Sequence, residues 1–361
     1  MWQIGLRFKA MANRVLVVGG GSWGTTVAHL AAHNEPTVLW CRSPEIANAV
    51  NSTHVNPRYL QGFELHPRLR ATTELTEAVG EAEVVVMAVP AASFRMVIQQ
   101  VAPQLQPWVP VLSLTKGLEQ GTRLRMTEII NQVASAHPAG ALTGPNLAQE
   151  IIAGHAATSV IAMADETVAS ALQAVLTTEL FRVYTNDDVI GCELGGTLKN
   201  VIALASGMVD GLGAGDNTRA AVITRGLAEI ARLGTAMGGR SDTFSGLAGM
   251  GDLLATCMSP LSRNRHVGYE LGQGRRLKAI LAEMDQTAEG VHTAQIVVEL
   301  ADLNGVEMPL SAAVDAVLKG NCTAEEAMMA LMGRQARPEP ELFKQHRSRL
   351  RRAWRFVKRS K

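Results

Sequence analysis

Arg14-Val15-Leu16-Val17-Val18-Gly19-Gly20-Gly21-Ser22-Trp23-Gly24 is the stretch that decides how the chain is read. A short β-branched run that breaks off in glycines is the signature of a buried parallel strand. The glycines satisfy G-x-G-x-x-G, and the residues after them keep a helical pattern through Val27–Ala32. Each glycine has its own physical task. Gly19 permits the tight turn, Gly21 lets the backbone approach a pyrophosphate, and Gly24 lets helix and strand pack closely. The pyrophosphate then rests on the helix N-terminus, beside Ser22 and Trp23.

Further strands follow at Thr37–Trp40, Ala82–Val89, Val109–Leu114, Ala141–Thr143 and Ser159–Ala162, with helical stretches between them. Strands alternating with helices imply right-handed crossovers and a mostly parallel sheet. Past Ile190 the pattern turns helical throughout. Ile223, Leu227 and Ile230 share one helix face, Ile296, Leu300 and Leu303 another, and Asn304-Gly305 makes a C-cap. The expected architecture is α/β, a Rossmann-type domain over 13–189 followed by an all-α domain over 190–338. Residues 1–12 are expected to be a mobile extension, with Met11 an alternative start to Met1. Residues 339–361 form a basic tail, in which Lys344–Lys361 holds nine Lys or Arg and no Asp or Glu. That tail is either solvated or a weak contact for anionic membranes.

The 361 residues allow two domains with real cores, and 34 basic against 33 acidic residues give no hint of a nucleic-acid partner. No apolar run is long enough for a membrane span. Cys41, Cys192, Cys257 and Cys322 are widely spaced, which fits a reducing cytoplasm and argues against a disulfide frame or a metal site.

The second strand ends in Cys41-Arg42-Ser43, where an NAD-selective fold usually places a carboxylate for the ribose 2′-hydroxyl. A guanidinium there suits a 2′-phosphate, so NADP is expected to be preferred with NAD accepted. Arg42 stacked on the adenine or lying in solvent are the other readings. Leu194-Gly195-Gly196-Thr197-Leu198-Lys199-Asn200 opens a helical segment with two glycines just before a lysine. Glycines destabilise a helix, which is understandable where a ligand lies against bare backbone. Taken alone, a lysine there is more often a surface residue. Gly249-Met250-Gly251-Asp252 precedes Ser262-Arg263-Asn264-Arg265, where Arg263 offers a fork of donors matched to phosphate, although such a run is more often a polar loop.

Together with Thr115-Lys116-Gly117, Gly144-Pro145-Asn146, LGGTLKNVIALASG (Leu194–Gly207), TRGLAE (Thr224–Glu229) and GMGDLLATC (Gly249–Cys257), these blocks come in one order from about residue 13 to 335. They resemble the bacterial NAD(P)-dependent glycerol-3-phosphate dehydrogenase family. The resemblance implies interconversion of dihydroxyacetone phosphate and sn-glycerol 3-phosphate, serving phospholipid synthesis in the cytoplasm, and a homodimer. It implies Lys199 as the catalytic residue. Lys116, Gly144, Asn146, Asp252, Ser262, Arg263 and Asn264 would line the substrate, with Asp252 and Ser262 touching it or orienting Lys199. Arg42, Lys116, Ala148, Arg263 and Glu289 would meet the cofactor together with the glycine turn. The family's usual Gly-Pro-Ser/Thr-Phe-Ala stands here as Gly144-Pro145-Asn146-Leu147-Ala148. The alternatives are a dehydrogenase of the β-hydroxyacid or ketopantoate reductase type, and a nucleotide-sensing protein without turnover.

Overall fold

In the computed structural model, residues 14–284, 288–335 and 338 are described. The N-terminal extension and the basic tail lie outside them. The strands are β1 (Val15–Val18), β2 (Thr37–Trp40), β3 (Val55–Asn56), β4 (Leu60–Glu64), β5 (Arg70–Thr72), β6 (Val84–Met87), β7 (Val111–Ser113), β8 (Ala139–Thr143), β9 (Ala157–Met163) and β10 (Phe181–Asn186). Eight of them form one sheet in the order β10-β9-β8-β7-β6-β1-β2-β5, and β3 and β4 form a separate hairpin. All neighbouring pairs in the large sheet run parallel except β8 with β9.

The sheet is buried on both faces because its central strands are apolar at every position. Val15 and Val17 of β1 enter one core cluster, and Leu16 and Val18 enter the other. This is the continuous apolar run that a helix-covered parallel strand needs. Helix α1 (Ser22–Asn34) follows the glycine turn, and α2 (Pro44–Thr53) follows β2. The strands not expected from the sequence are β3, β4, β5 and β10. In β5 only Ala71 is buried, and β10 alternates buried with exposed residues at the sheet edge.

From Asp188 onward, among the described residues, the chain is helical. Helix α3 (Val189–Gly211) is buried along nearly its whole length and is surrounded by α4 (Gly215–Ala236), α5 (Asp252–Met258), α6 (Arg263–Gly272) and α7 (Glu289–Asn304). A helix apolar on every side belongs in the middle of a bundle. Asp188 starts α3 by accepting from the Gly191 N–H at 2.9 Å. Gly305 ends α7 with φ 62°, the left-handed cap expected from Asn304-Gly305. Ile296 and Leu300 are buried as expected, but Leu303 is 68% exposed. It stands at the last turn, where the helix leaves the core. No helix of the described residues is long and apolar enough to cross a membrane.

Candidate active site

The glycine turn is shaped as its spacing requires. Gly19 has φ 128°, and a Cβ there would stand 2.4 Å from the Ala88 carbonyl oxygen. A Cβ on Gly24 would stand 2.0 Å from the Gly19 carbonyl oxygen, so helix and turn touch through bare backbone. Around Gly21, the residue that caps α1, nothing among the described residues lies within 4 Å of an added Cβ, and a glycine brings no capping side chain of its own. A turn tight on two sides and open on the third fits a pyrophosphate on the helix N-terminus. Ser22 donates its hydroxyl to the Tyr59 carbonyl at 3.1 Å. Trp23 packs edge-on against Phe181 with centroids 6.5 Å apart, and its indole N–H is buried without a partner among the described residues. Arg42 is exposed at the end of β2. Ser43 accepts from the Ile46 N–H at 3.4 Å and so caps α2.

The lysines meet where the two parts of the chain touch. Lys199 lies on the third turn of α3, 6% exposed. Its Nζ is 2.8 Å from Asp252 Oδ1 and also donates to the Thr256 hydroxyl. Lys116, just past β7, places its Nζ 2.7 Å from Asp252 Oδ2 and 2.9 Å from the Gly144 carbonyl. One carboxylate, 1% exposed, thus stands between two ammonium groups. Burial pushes the Lys116 pKa down to about 8; Asp252 opposes that shift and Lys199 adds to it. A cation held this way is a strong donor that releases its proton more readily than a solvated lysine.

Gly195 and Gly196 are not at the opening of their helix, as the sequence reading has it, but one turn and more inside it. Protein, not ligand, lies against them. A Cβ on Gly195 would stand 2.6 Å from the Ala248 carbonyl, and one on Gly196 2.5 Å from the Thr143 hydroxyl. The two glycines bring α3 against β8 and against a wide turn at Leu247–Gly251, in which the Gly251 N–H bonds to the Gly246 carbonyl. Such i→i+5 turns concentrate at functional sites. This one delivers Asp252.

The Ser262 hydroxyl accepts from the Arg265 N–H at 3.2 Å and caps α6. Asn264 is built into the scaffold too. Its Nδ2 donates to Asn200 Oδ1 at 3.0 Å, and its Oδ1 accepts from the Gly290 N–H at 2.9 Å. Asn200 in turn donates to the Lys116 carbonyl at 3.1 Å. Of the Ser262-Arg263-Asn264 run, only Arg263 is exposed. The protein around it lowers its pKa by desolvation, with Glu289 opposing. Glu289 begins α7 and accepts from the Ala91 N–H at 3.3 Å, reaching from the helical part to the sheet part; burial raises its pKa. Ala148 lies at the start of the Ala148–Ile152 helix, its carbonyl 3.4 Å from the Thr26 hydroxyl of α1. Asn146 donates from Nδ2 to the Ser159 hydroxyl at 3.0 Å.

Thr256 and Thr143 are site residues that the sequence reading did not single out. The i,i+4 spacing of Asp252 and Thr256 on one helix face was a usable signal for the first. Thr143, at the end of β8, lies with its hydroxyl 3.5 Å from Asp252 Oδ2, and nothing in the sequence marks it. Among the described residues no group of three His, Cys, Asp or Glu is placed to hold a metal ion.

A glycine turn shaped for a pyrophosphate, together with a buried lysine–aspartate–lysine cluster joining the sheet part to the helical part, defines an NAD(P)-dependent dehydrogenase. The comparisons make this specific. The model described as NAD-dependent glycerol-3-phosphate dehydrogenase N-terminus matches residues 14–169, and its C-terminus counterpart matches residues 188–329. A glycerol-3-phosphate dehydrogenase [NAD(P)+] of Sphingopyxis alaskensis is 57% identical over 322 residues, 89% of this chain and 97% of that protein. One of Mycobacterium avium is 52% identical over 88% of this chain and 94% of that protein. The crystal structure of glycerol-3-phosphate dehydrogenase from Coxiella burnetii superposes with a TM-score of 0.85 at 34% identity, covering 89% of this chain and 99% of that one. The chain belongs to the NAD-dependent glycerol-3-phosphate dehydrogenase family.

Proposed function

We propose that the chain interconverts dihydroxyacetone phosphate and sn-glycerol 3-phosphate with NADP or NAD, and that Lys199 is its acid–base residue. The observation that carries this reading is the sharing of Asp252 between Lys199 and Lys116. When bound, the reduced nicotinamide supplies the hydride; the rest of the chemistry falls to the protein. Negative charge develops on the ketone oxygen, and a fixed donor in a buried site stabilises it best. Lys199 Nζ, oriented by Asp252 and Thr256, donates that hydrogen bond and then the proton. In the oxidation direction neutral Lys199 takes the hydroxyl proton back. Lys116 adds a second positive charge beside the reacting centre. Arg263 holds the phosphate with its fork of donors, while Ser262 and Asn264 act by fixing the start of α6. Gly144 supplies the carbonyl that steadies Lys116.

The dinucleotide is held by Gly19, Gly21, Ser22, Trp23 and Gly24, with Ala148 and Glu289 at the nicotinamide side and Arg42 toward the adenine ribose. Arg42 without a neighbouring carboxylate favours NADP over NAD. Residues 13–189 serve as the dinucleotide domain and 190–338 as the substrate domain. The reading extends to a cytoplasmic homodimer supplying glycerol 3-phosphate to phospholipid synthesis, with weak anionic-membrane contact through the tail 339–361. Mixing the protein with NADPH and dihydroxyacetone phosphate and following absorbance of the reduced nicotinamide tests the reaction. Loss of absorbance that needs both protein and ketone is expected; none, with folded protein, overturns it.

A further inference from the structure

The hydrogen bonds of Asn146 fix which way its amide faces. The Ser159 hydroxyl has one proton, which it gives to the Thr143 carbonyl at 2.8 Å. Toward Asn146 it can therefore only accept, so the group 3.0 Å away is the amide nitrogen. The other end, Oδ1, is buried and has no partner among the described residues. Buried polar atoms without partners are uncommon, and each calls for a reason.

The loop carrying Asn146 forms one wall of the lysine site. Two residues earlier, the Gly144 carbonyl receives Lys116; three residues earlier, Thr143 abuts Gly196 and faces Asp252. What meets Oδ1 must be a donor. An ionised phosphate offers acceptors, and so does a ketone oxygen. In dihydroxyacetone phosphate the single donor is the terminal hydroxyl. We propose that Asn146 Oδ1 accepts the hydrogen bond of that hydroxyl, making Asn146 a specificity residue for ketones with a free hydroxymethyl group beside the carbonyl. The inference rests on the reaction proposed above.

The test compares dihydroxyacetone phosphate with hydroxyacetone phosphate, in which a methyl replaces the hydroxymethyl group. A site that hydrogen-bonds a substrate hydroxyl discriminates against the analogue lacking it. For one neutral contact the wild-type kcat/KM ratio should be roughly tenfold to a hundredfold. Asn146→Ala should lose that factor on dihydroxyacetone phosphate and leave hydroxyacetone phosphate within about twofold. Equal use of the two ketones by wild-type protein, a measurement that needs no variant, overturns the inference. So do parallel losses on both ketones in Asn146→Ala. A coenzyme arm uses the 3-acetylpyridine analogue, whose methyl replaces the nicotinamide NH2. If Asn146→Ala alters discrimination between coenzymes and not between ketones, the acceptor reads the coenzyme and the inference falls. Absence of turnover on both ketones overturns the reaction and this inference with it; equal turnover overturns this inference alone.

Discussion

Asp252→Asn is the sharpest perturbation of the site, because it removes one charge from between two others with little change of shape. The carboxylate is 1% exposed, 2.8 Å from Lys199 Nζ and 2.7 Å from Lys116 Nζ. At an effective dielectric near 20, a unit pair about 2.8 Å apart attracts by roughly 6 kcal/mol. Most of that attraction offsets the desolvation of the three groups, so the net loss is nearer the roughly 3–5 kcal/mol seen when a buried pair loses one member. An asparagine can accept from one ammonium but turns an N–H toward the other. At least one lysine must then lose its proton or move. The expected outcome is a melting temperature lower by roughly 4–7 °C. Turnover should fall by roughly a hundredfold to ten-thousandfold, since the acid is no longer aimed. Calorimetry and steady-state reduction of dihydroxyacetone phosphate check the two parts. A folded Asp252→Asn protein with nearly wild-type turnover and an unchanged melting temperature would refute the claim that this carboxylate organises the lysines.

The remaining predictions are narrower. Lys199→Ala should cut turnover by roughly a hundredfold to ten-thousandfold while NADPH binding, followed by fluorescence titration, stays intact. Arg263→Ala should weaken use of dihydroxyacetone phosphate by about 1.5–3 kcal/mol, the value of a charge-assisted hydrogen bond, and spare unphosphorylated dihydroxyacetone; equal losses on both would show that the guanidinium does not read phosphate. Arg42→Asp should reverse the coenzyme preference toward NADH, because a carboxylate repels a 2′-phosphate and accepts from a 2′-hydroxyl; a kcat/KM ratio that does not move counts against it. Lys116 is a cation below its pKa of about 8 and neutral above it. The kcat/KM for the phosphorylated ketone should therefore hold at neutral pH and decline as pH rises through about 8, and a Lys116→Gln profile without that limb is the control.

How much of this was legible in the sequence follows from where the signals lie. β2 was read to its end residues because the β-branched and apolar run Thr37–Trp40 starts right after Pro36 and gives way to the polar Arg42-Ser43. β5 and β10 escaped because each lies at a sheet edge, where half or more of the residues face water and the apolar run is lost. Lys199 and Lys116 were found through ordered motifs, but Asp252 as their common partner depends on contacts between residues far apart in the chain. Ser262 and Asn264 show the opposite limit. Their residue types suit phosphate, yet their side chains are occupied in holding α6 and the start of α7. Composition cannot tell a side chain that binds ligand from one that positions its neighbour.

The chain of amides from the Lys116 carbonyl through Asn200 and Asn264 to the Gly290 N–H has a consequence for biosynthesis. Chains emerge from the ribosome N-terminus first, and domains fold as units while they do. The sheet can therefore be complete while the helical part is still being made. The lysines acquire their common carboxylate only when Asp252 has been added, and the last tie forms only once Gly290 is free to dock. A polypeptide that terminates before that point would keep the dinucleotide turn without a finished site.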